Sequence, residues 1–197
     1  MTGMRQGEIL GLRWVDIDFD LGVLYVRQQL QYLPGQGYFI KTPKSKKSTR
    51  TIPMQLPLSK MFREIKKEQE TYKKKGEAKL RKEMQNITEE DLKTIYDDHD
   101  LVLCQPNGKP WDAGNITNRF KEAITKFGRP NMRFHDLRHT FAALALAAGI
   151  SMDKLQRLMG HESITTTIDM YGHIPADELN EEMKKLSQYL GFGTLVK

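Results

Sequence analysis

Apolar positions in the first sixty residues change period. Ile9, Leu10 and Leu12 follow a polar opening, MTGMRQGE, and fit a short helix entered from a loop, with Glu8 one turn after Arg5. Ile17, Phe19 and then Val23-Leu24-Tyr25-Val26 carry the β-branched and aromatic side chains of strands. Pro34-Gly35-Gln36-Gly37 marks a turn and Tyr38-Phe39-Ile40 a return strand. A polar, basic loop at residues 42–48 leads into a further strand, Thr49-Arg50-Thr51-Ile52-Pro53. Hairpin connections make the simplest arrangement three antiparallel strands.

The remaining pattern is helical. Residues 57–87 read as one long, heavily charged helix with an apolar face only at Met61, Phe62 and Ile65, and with Gly76 as a candidate break. Thr88-Glu89-Glu90-Asp91 is a capping start. Leu101-Val102-Leu103-Cys104 is a brief apolar run before the Pro106-Asn107-Gly108 turn. Residues 113–127 carry Ile116, Phe120 and Ile124 at helical spacing. Residues 135–149 form the most apolar segment, a helix expected to be buried and to end at Gly149; residues 152–159 form a short helix stopped by Gly160. Residues 175–190 suggest a terminal amphipathic helix whose Leu179, Met183, Leu186 and Leu190 need a face to dock on, in the same or a neighbouring protomer. The expected fold is α+β: a mainly helical domain with a small three-stranded antiparallel sheet.

Composition narrows the class. The 197 residues carry 31 Lys+Arg against 25 Asp+Glu, a net charge of +6, and are 39% hydrophobic, too apolar for disorder. No apolar run reaches the ~20 residues of a bilayer span, and the start lacks the pattern of a secretory signal. The single Cys104 excludes an internal disulfide and a cysteine-rich zinc site. A reducing, cytoplasmic setting is expected. The charge is uneven: residues 1–60 hold 9 basic and 4 acidic side chains, residues 61–99 hold 10 of each, and residues 100–138 hold 7 against 4. Two basic stretches around a neutral one suit a polyanion-binding face or an ordinary basic surface.

Five places could carry chemistry. His135-Asp136-Leu137-Arg138-His139 sets His135 and Arg138 at i and i+3, so an imidazole and a guanidinium share one side of a helix and suit a phosphate. His135 and His139 are also spaced as in helical zinc sites, but no Glu stands second as in H-E-x-x-H; a polar helix start fits equally well. Arg5, with Glu8 able to fix it, is a second cation, although a surface ion pair looks the same. Lys44, Lys46, Lys47 and Arg50 lie in or beside a hairpin turn that could enter a DNA groove. His161 follows Gly160 at a helix end. Tyr171 lies between Met170 and Gly172 and fits a small core as well as a site.

The order of these boxes is more specific than any one of them. TGMRQGEILGLRW, PKSKKSTRTIP, FHDLRHTFA and LMGHESITTTIDMYGH together resemble the catalytic domain of the tyrosine recombinase (phage integrase) family, most closely integrases of phages and conjugative transposons. The resemblance covers the chain except residues 60–100, which read as a charged helical insertion. It implies that Arg5 and Arg138 clamp a DNA phosphate and that Lys44 (with Lys46 as fallback) protonates the leaving 5′ oxygen. His135 and His161 assist, and Tyr171 is the nucleophile that forms a 3′-phosphotyrosine. Lys46, Lys47 and Arg50 are further DNA-binding candidates. It implies no cofactor and no metal, double-stranded DNA as partner, and self-association on DNA in a tetrameric synapse.

Residues 1–197 are thus expected to form one catalytic domain without the family's amino-terminal core-binding domain. Two other readings share these residues: a type IB topoisomerase-like nicking and rejoining enzyme, and a non-catalytic DNA-binding fragment.

Overall fold

The computed structural model describes residues 2–33, 35–42, 49–84, 88, 90, 92 and 100–160. Helix α1 (Gln6–Leu10) leads through a single 3-10 turn (Trp14–Asp16) into β1 (Ile17–Asp18) and β2 (Val23–Val26). A hairpin of β3 (Gln29–Leu33) and β4 (Gly37–Lys41) follows, then β5 (Arg50–Pro53). The rest is helical: α2 (Leu56–Glu83), α3 (Ala113–Lys126), α4 (Asp136–Ala147) and α5 (Met152–Met159).

The strands pair differently from the expected meander. Strand β2 lies between β1 and β5, both antiparallel to it, with Leu24 opposite Ile17 and Ile52. The Tyr38-Phe39-Ile40 strand is not in that sheet. It pairs with β3 in a separate two-stranded ribbon, Gln31 opposite Phe39 and Tyr32 opposite Tyr38. The physical reason is that the Gln-rich stretch at residues 28–31 carries no strand propensity of its own, yet takes the ladder because it leads directly into the turn. The ribbon rests on α1, where Gly7 and Gly11 stand one turn apart against the backbone of Leu30. A Cβ on Gly11 would lie 2.7 Å from the Leu30 nitrogen.

Alternation on the main sheet sets the first core. Leu24, Val26 and Ile52 point inward and meet Met4, Leu12, Leu58, Phe62 and Val102. Residues 101–104 reach this core by lying along the segment after α1: the Val102 N–H donates to the Leu12 carbonyl at 2.8 Å, and the Trp14 N–H to that of Asp100 at 2.9 Å. Helix α2 contributes only its first turns, Leu58 and Phe62, and then runs on with an exposed charged surface. Gln69 anchors it inward, donating to the Val102 carbonyl at 2.7 Å and accepting from the Trp14 indole at 2.8 Å. Gly76 does not interrupt the helix; an interior glycine costs about 1 kcal/mol relative to alanine, too little to break a helix held at its start.

A second, smaller core joins α4 to α5. Ala142 and Ala145 let the helices approach, and Leu155 and Met159 fill the gap, flanked by Phe141, Leu146 and Ile150. Only Arg138, Ala142 and Ala145 of α4 are fully buried, so that helix is less enclosed than its composition suggests. Helix α3 is tied to the rest through polar contacts. The Gln6 amide donates to the Ala113 carbonyl and the Thr117 hydroxyl, both at 3.0 Å, and the Tyr38 hydroxyl donates to the capping Asp112 at 2.6 Å. Among the described residues no helix is long and apolar enough to cross a membrane.

The first core should be the less forgiving of change. Truncating Leu24, fully enclosed on the central strand, to alanine is expected to cost about 2–5 kcal/mol. The same change at Val15, which is 65% exposed, should stay within about 0.5 kcal/mol. Urea denaturation of both variants measures the difference.

Candidate active site

The two cores meet at a polar seam, and that seam holds the predicted arginines. Helix α5 ends at Gly160, whose left-handed backbone (φ 66°, ψ 42°) suits glycine, and whose N–H returns to the Gln156 and Arg157 carbonyls. The carbonyls beyond these have no partner within the helix, and arginines from three distant parts of the chain supply one to each. Arg50 Nε donates to Leu158 at 2.7 Å, Arg138 Nη2 donates to Met159, and Arg5 Nη2 reaches Gly160 at 3.4 Å. Guanidinium groups at this end also complement the negative pole of the helix dipole.

Arg5 and Arg138 therefore converge. Arg138 is buried at 4% exposure and also donates through Nη1 to the Gly3 carbonyl, which ties the start of α4 to the segment entering α1. Arg5 is more open, with 39% of its side chain exposed, and is held from behind by Glu8. The Glu8 carboxylate accepts the Arg5 backbone N–H at 2.8 Å and Nη1 at 3.0 Å. It is no surface pair: Glu8 is 4% exposed.

Arg50 is more enclosed than its place beside a basic loop suggests. As a DNA-binding candidate beside a basic loop it should face solvent, but it is 8% exposed. Its Nη1 and Nη2 donate to the two oxygens of Glu8 at 3.0 and 2.8 Å. The cause is register: Arg50 pairs with Val26 on β5, so its side chain turns to the inner face and meets α1 and α5. Burial alone would raise the Glu8 pKa, but the hydrogen bonds and charge of Arg50, aided by Arg5, more than offset this and hold it below the ordinary carboxylate range. Among the described residues three guanidinium groups gather around the Glu8 carboxylate at this seam, a cationic setting that suits a phosphodiester gaining charge.

His135 stands immediately before α4, one turn ahead of Arg138, and its ring meets that of His139 edge to face with centroids 5.0 Å apart. Partial burial, then the neighbouring His139 and Arg138, lower its pKa, so it is neutral at pH 7 and able to accept a proton. Among the described residues no cluster of side chains could hold a metal ion. Lys44, Lys46, Lys47, His161 and Tyr171 lie outside the described residues. Of the predicted positions that are described, the fold brings Arg5 and Arg138 to adjacent carbonyls and sets His135 on the same helix as Arg138. Sequence reasoning missed the Glu8–Arg50 pair, since no local pattern links residues 42 positions apart.

Comparison with known proteins shows the family. The profile of the Phage integrase family matches residues 1–178. A tyrosine recombinase XerC-like protein of Caldanaerobacter subterraneus subsp. tengcongensis is 30% identical over 188 residues, covering 91% of this chain and 45% of that protein. The ICEBs1 integrase of Bacillus subtilis is 30% identical over 190 residues, covering 96% and 47%. The chain thus spans less than half the length of these relatives. Among solved structures, the Tn1549 transposon integrase in complex with transposon right-end DNA superposes with a TM-score of 0.68 at 27% identity, over 94% of this chain and 56% of that one. Helices around small antiparallel sheets and a family match over most of the sequence agree: the chain belongs to the phage integrase family and has the fold of a tyrosine recombinase catalytic domain.

Proposed function

We propose that this chain is the catalytic domain of a site-specific DNA recombinase of the integrase type, acting on double-stranded DNA. Tyr171 attacks a backbone phosphate, forming a 3′-phosphotyrosine and releasing a 5′ hydroxyl; reversal with an exchanged strand rejoins the DNA. The observation that carries the reading is the placement of Arg5 and Arg138 on adjacent carbonyls at the end of α5, directly before His161 in sequence. A phenol with a pKa near 10 is ionised to about one part in a thousand at neutral pH, a deficit of roughly 4 kcal/mol. Two guanidinium groups at the non-bridging oxygens stabilise charge where it develops. His135, neutral at pH 7, accepts the phenolic proton or holds the phosphate, His161 donates to a phosphoryl oxygen, and Lys44 protonates the departing oxygen. Lys46 and Lys47 bind the DNA backbone nearby.

Arginine and lysine charge in place of divalent ions makes the reaction metal-independent. The covalent link conserves the phosphodiester energy, so religation needs no nucleotide cofactor. Self-association on DNA, with copies gathered on paired sites in a tetrameric synapse, and a cytoplasmic setting complete the proposal.

Two measurements test it. With nicked suicide DNA carrying candidate attachment sites, the chain should form a detergent-stable covalent adduct, whereas Tyr171→Phe should form none and still bind DNA. Failure of the unsubstituted chain to form an adduct would remove the enzymatic reading and leave DNA binding alone. The single-turnover rate should also fall on acidification, with a limb below the ordinary histidine value of 6.5, because His135 loses its proton-accepting form only as pH drops through a lowered pKa. His135→Gln should remove that limb and slow cleavage by about 10²-fold.

A further inference from the structure

Arg50 lies outside the proposed chemistry, yet it ties α1 to the end of α5. Its guanidinium reaches two elements: Nη1 and Nη2 grip both oxygens of Glu8, and Nε holds the Leu158 carbonyl. Glu8 in turn holds Arg5 through the side chain and the backbone. Arg50 also fills the space beside Gly160, where a Cβ would lie 2.9 Å from Arg50 Nη1. A planar fork is needed to satisfy this geometry, since two parallel N–H bonds face the carboxylate while a third donor points elsewhere. Lysine has one nitrogen and cannot do both.

Resting on the recombinase reading above, we infer that Arg50 is a positioning residue for strand cleavage. By locking Glu8 and the end of α5 in one arrangement, it sets where the Arg5 guanidinium stands relative to that of Arg138. It does not touch DNA: at 5% side-chain exposure, its donors face inward. Its contribution lies in the distance between two catalytic cations, and a shift of about 1 Å in such a placement can slow a reaction by about 10²-fold.

The test uses the full chain and nicked suicide DNA, with Arg50→Lys, Glu8→Gln and the double variant. Melting temperature, DNA affinity, and the amplitude and rate constant of covalent adduct formation are measured for each. The expected result is a rate constant lowered by at least about tenfold in each single variant, with DNA affinity within about threefold of the unsubstituted chain. Because both residues act through one contact, the double variant should be no slower than the worse single one.

A purely structural role predicts something different, namely a smaller amplitude from fewer folded molecules with an unchanged rate constant, and that outcome overturns the inference. So does a wild-type rate in either single variant, or losses that multiply in the double. If Arg50→Lys fails to fold, Glu8→Gln, which keeps the side-chain shape, decides alone by the same criteria. Absence of adduct in the unsubstituted chain would refute the recombinase reading itself, and is thereby separate from a failure of Arg50.

Discussion

The carbonyl groups left at the end of α5 require donors, and the site is built from the donors the fold provides. Three arginines from the start of the chain, the edge of the sheet and the start of α4 reach consecutive carbonyls there. Buried guanidinium groups are costly unless every charge is paired or hydrogen-bonded, which explains why Glu8 is enclosed among them and held in its charged form. The positive charge gathered at the helix end is the property that a phosphate-handling site needs.

The surrounding architecture serves this seam. The sheet core fixes β5 and hence Arg50; the α4–α5 core fixes Arg138 and the end of α5; the ribbon under α1 fixes Arg5 and Glu8. Neither core makes the site alone. Disturbing one of them moves one set of donors relative to the other, so packing far from any phosphate still bears on the chemistry. Helix α2 behaves differently: beyond its first turns most of its charged side chains are exposed, and ten basic against five acidic residues make it a basic, solvated extension.

Much was legible along the chain because it is local. Helix starts and stops, the glycine ends of α4 and α5, and the apolar run at 101–104 follow from residue types at fixed spacing. So does the pairing of Arg5 with Glu8, one helical turn apart. Strand partnership was less legible, since a period of two says which face a strand buries but not which strand it meets. In β3 the alternation of Leu30 and Tyr32 with Gln29 and Gln31 is short and names no partner, and Tyr38-Phe39-Ile40 pairs with it rather than with the main sheet.

The sequence by itself determined the kinds of group available: arginines, histidines, a lysine-rich loop and a tyrosine in a family order, with a net positive charge to bind a polyanion. Only the tertiary structure decided which cations face solvent and which are enclosed. Arg5 and Arg50 are both arginines beside polar stretches, yet one is partly open and the other sealed against Glu8. The difference comes from strand register and from a helix end more than a hundred residues away, and neither leaves a mark in the local pattern of the chain.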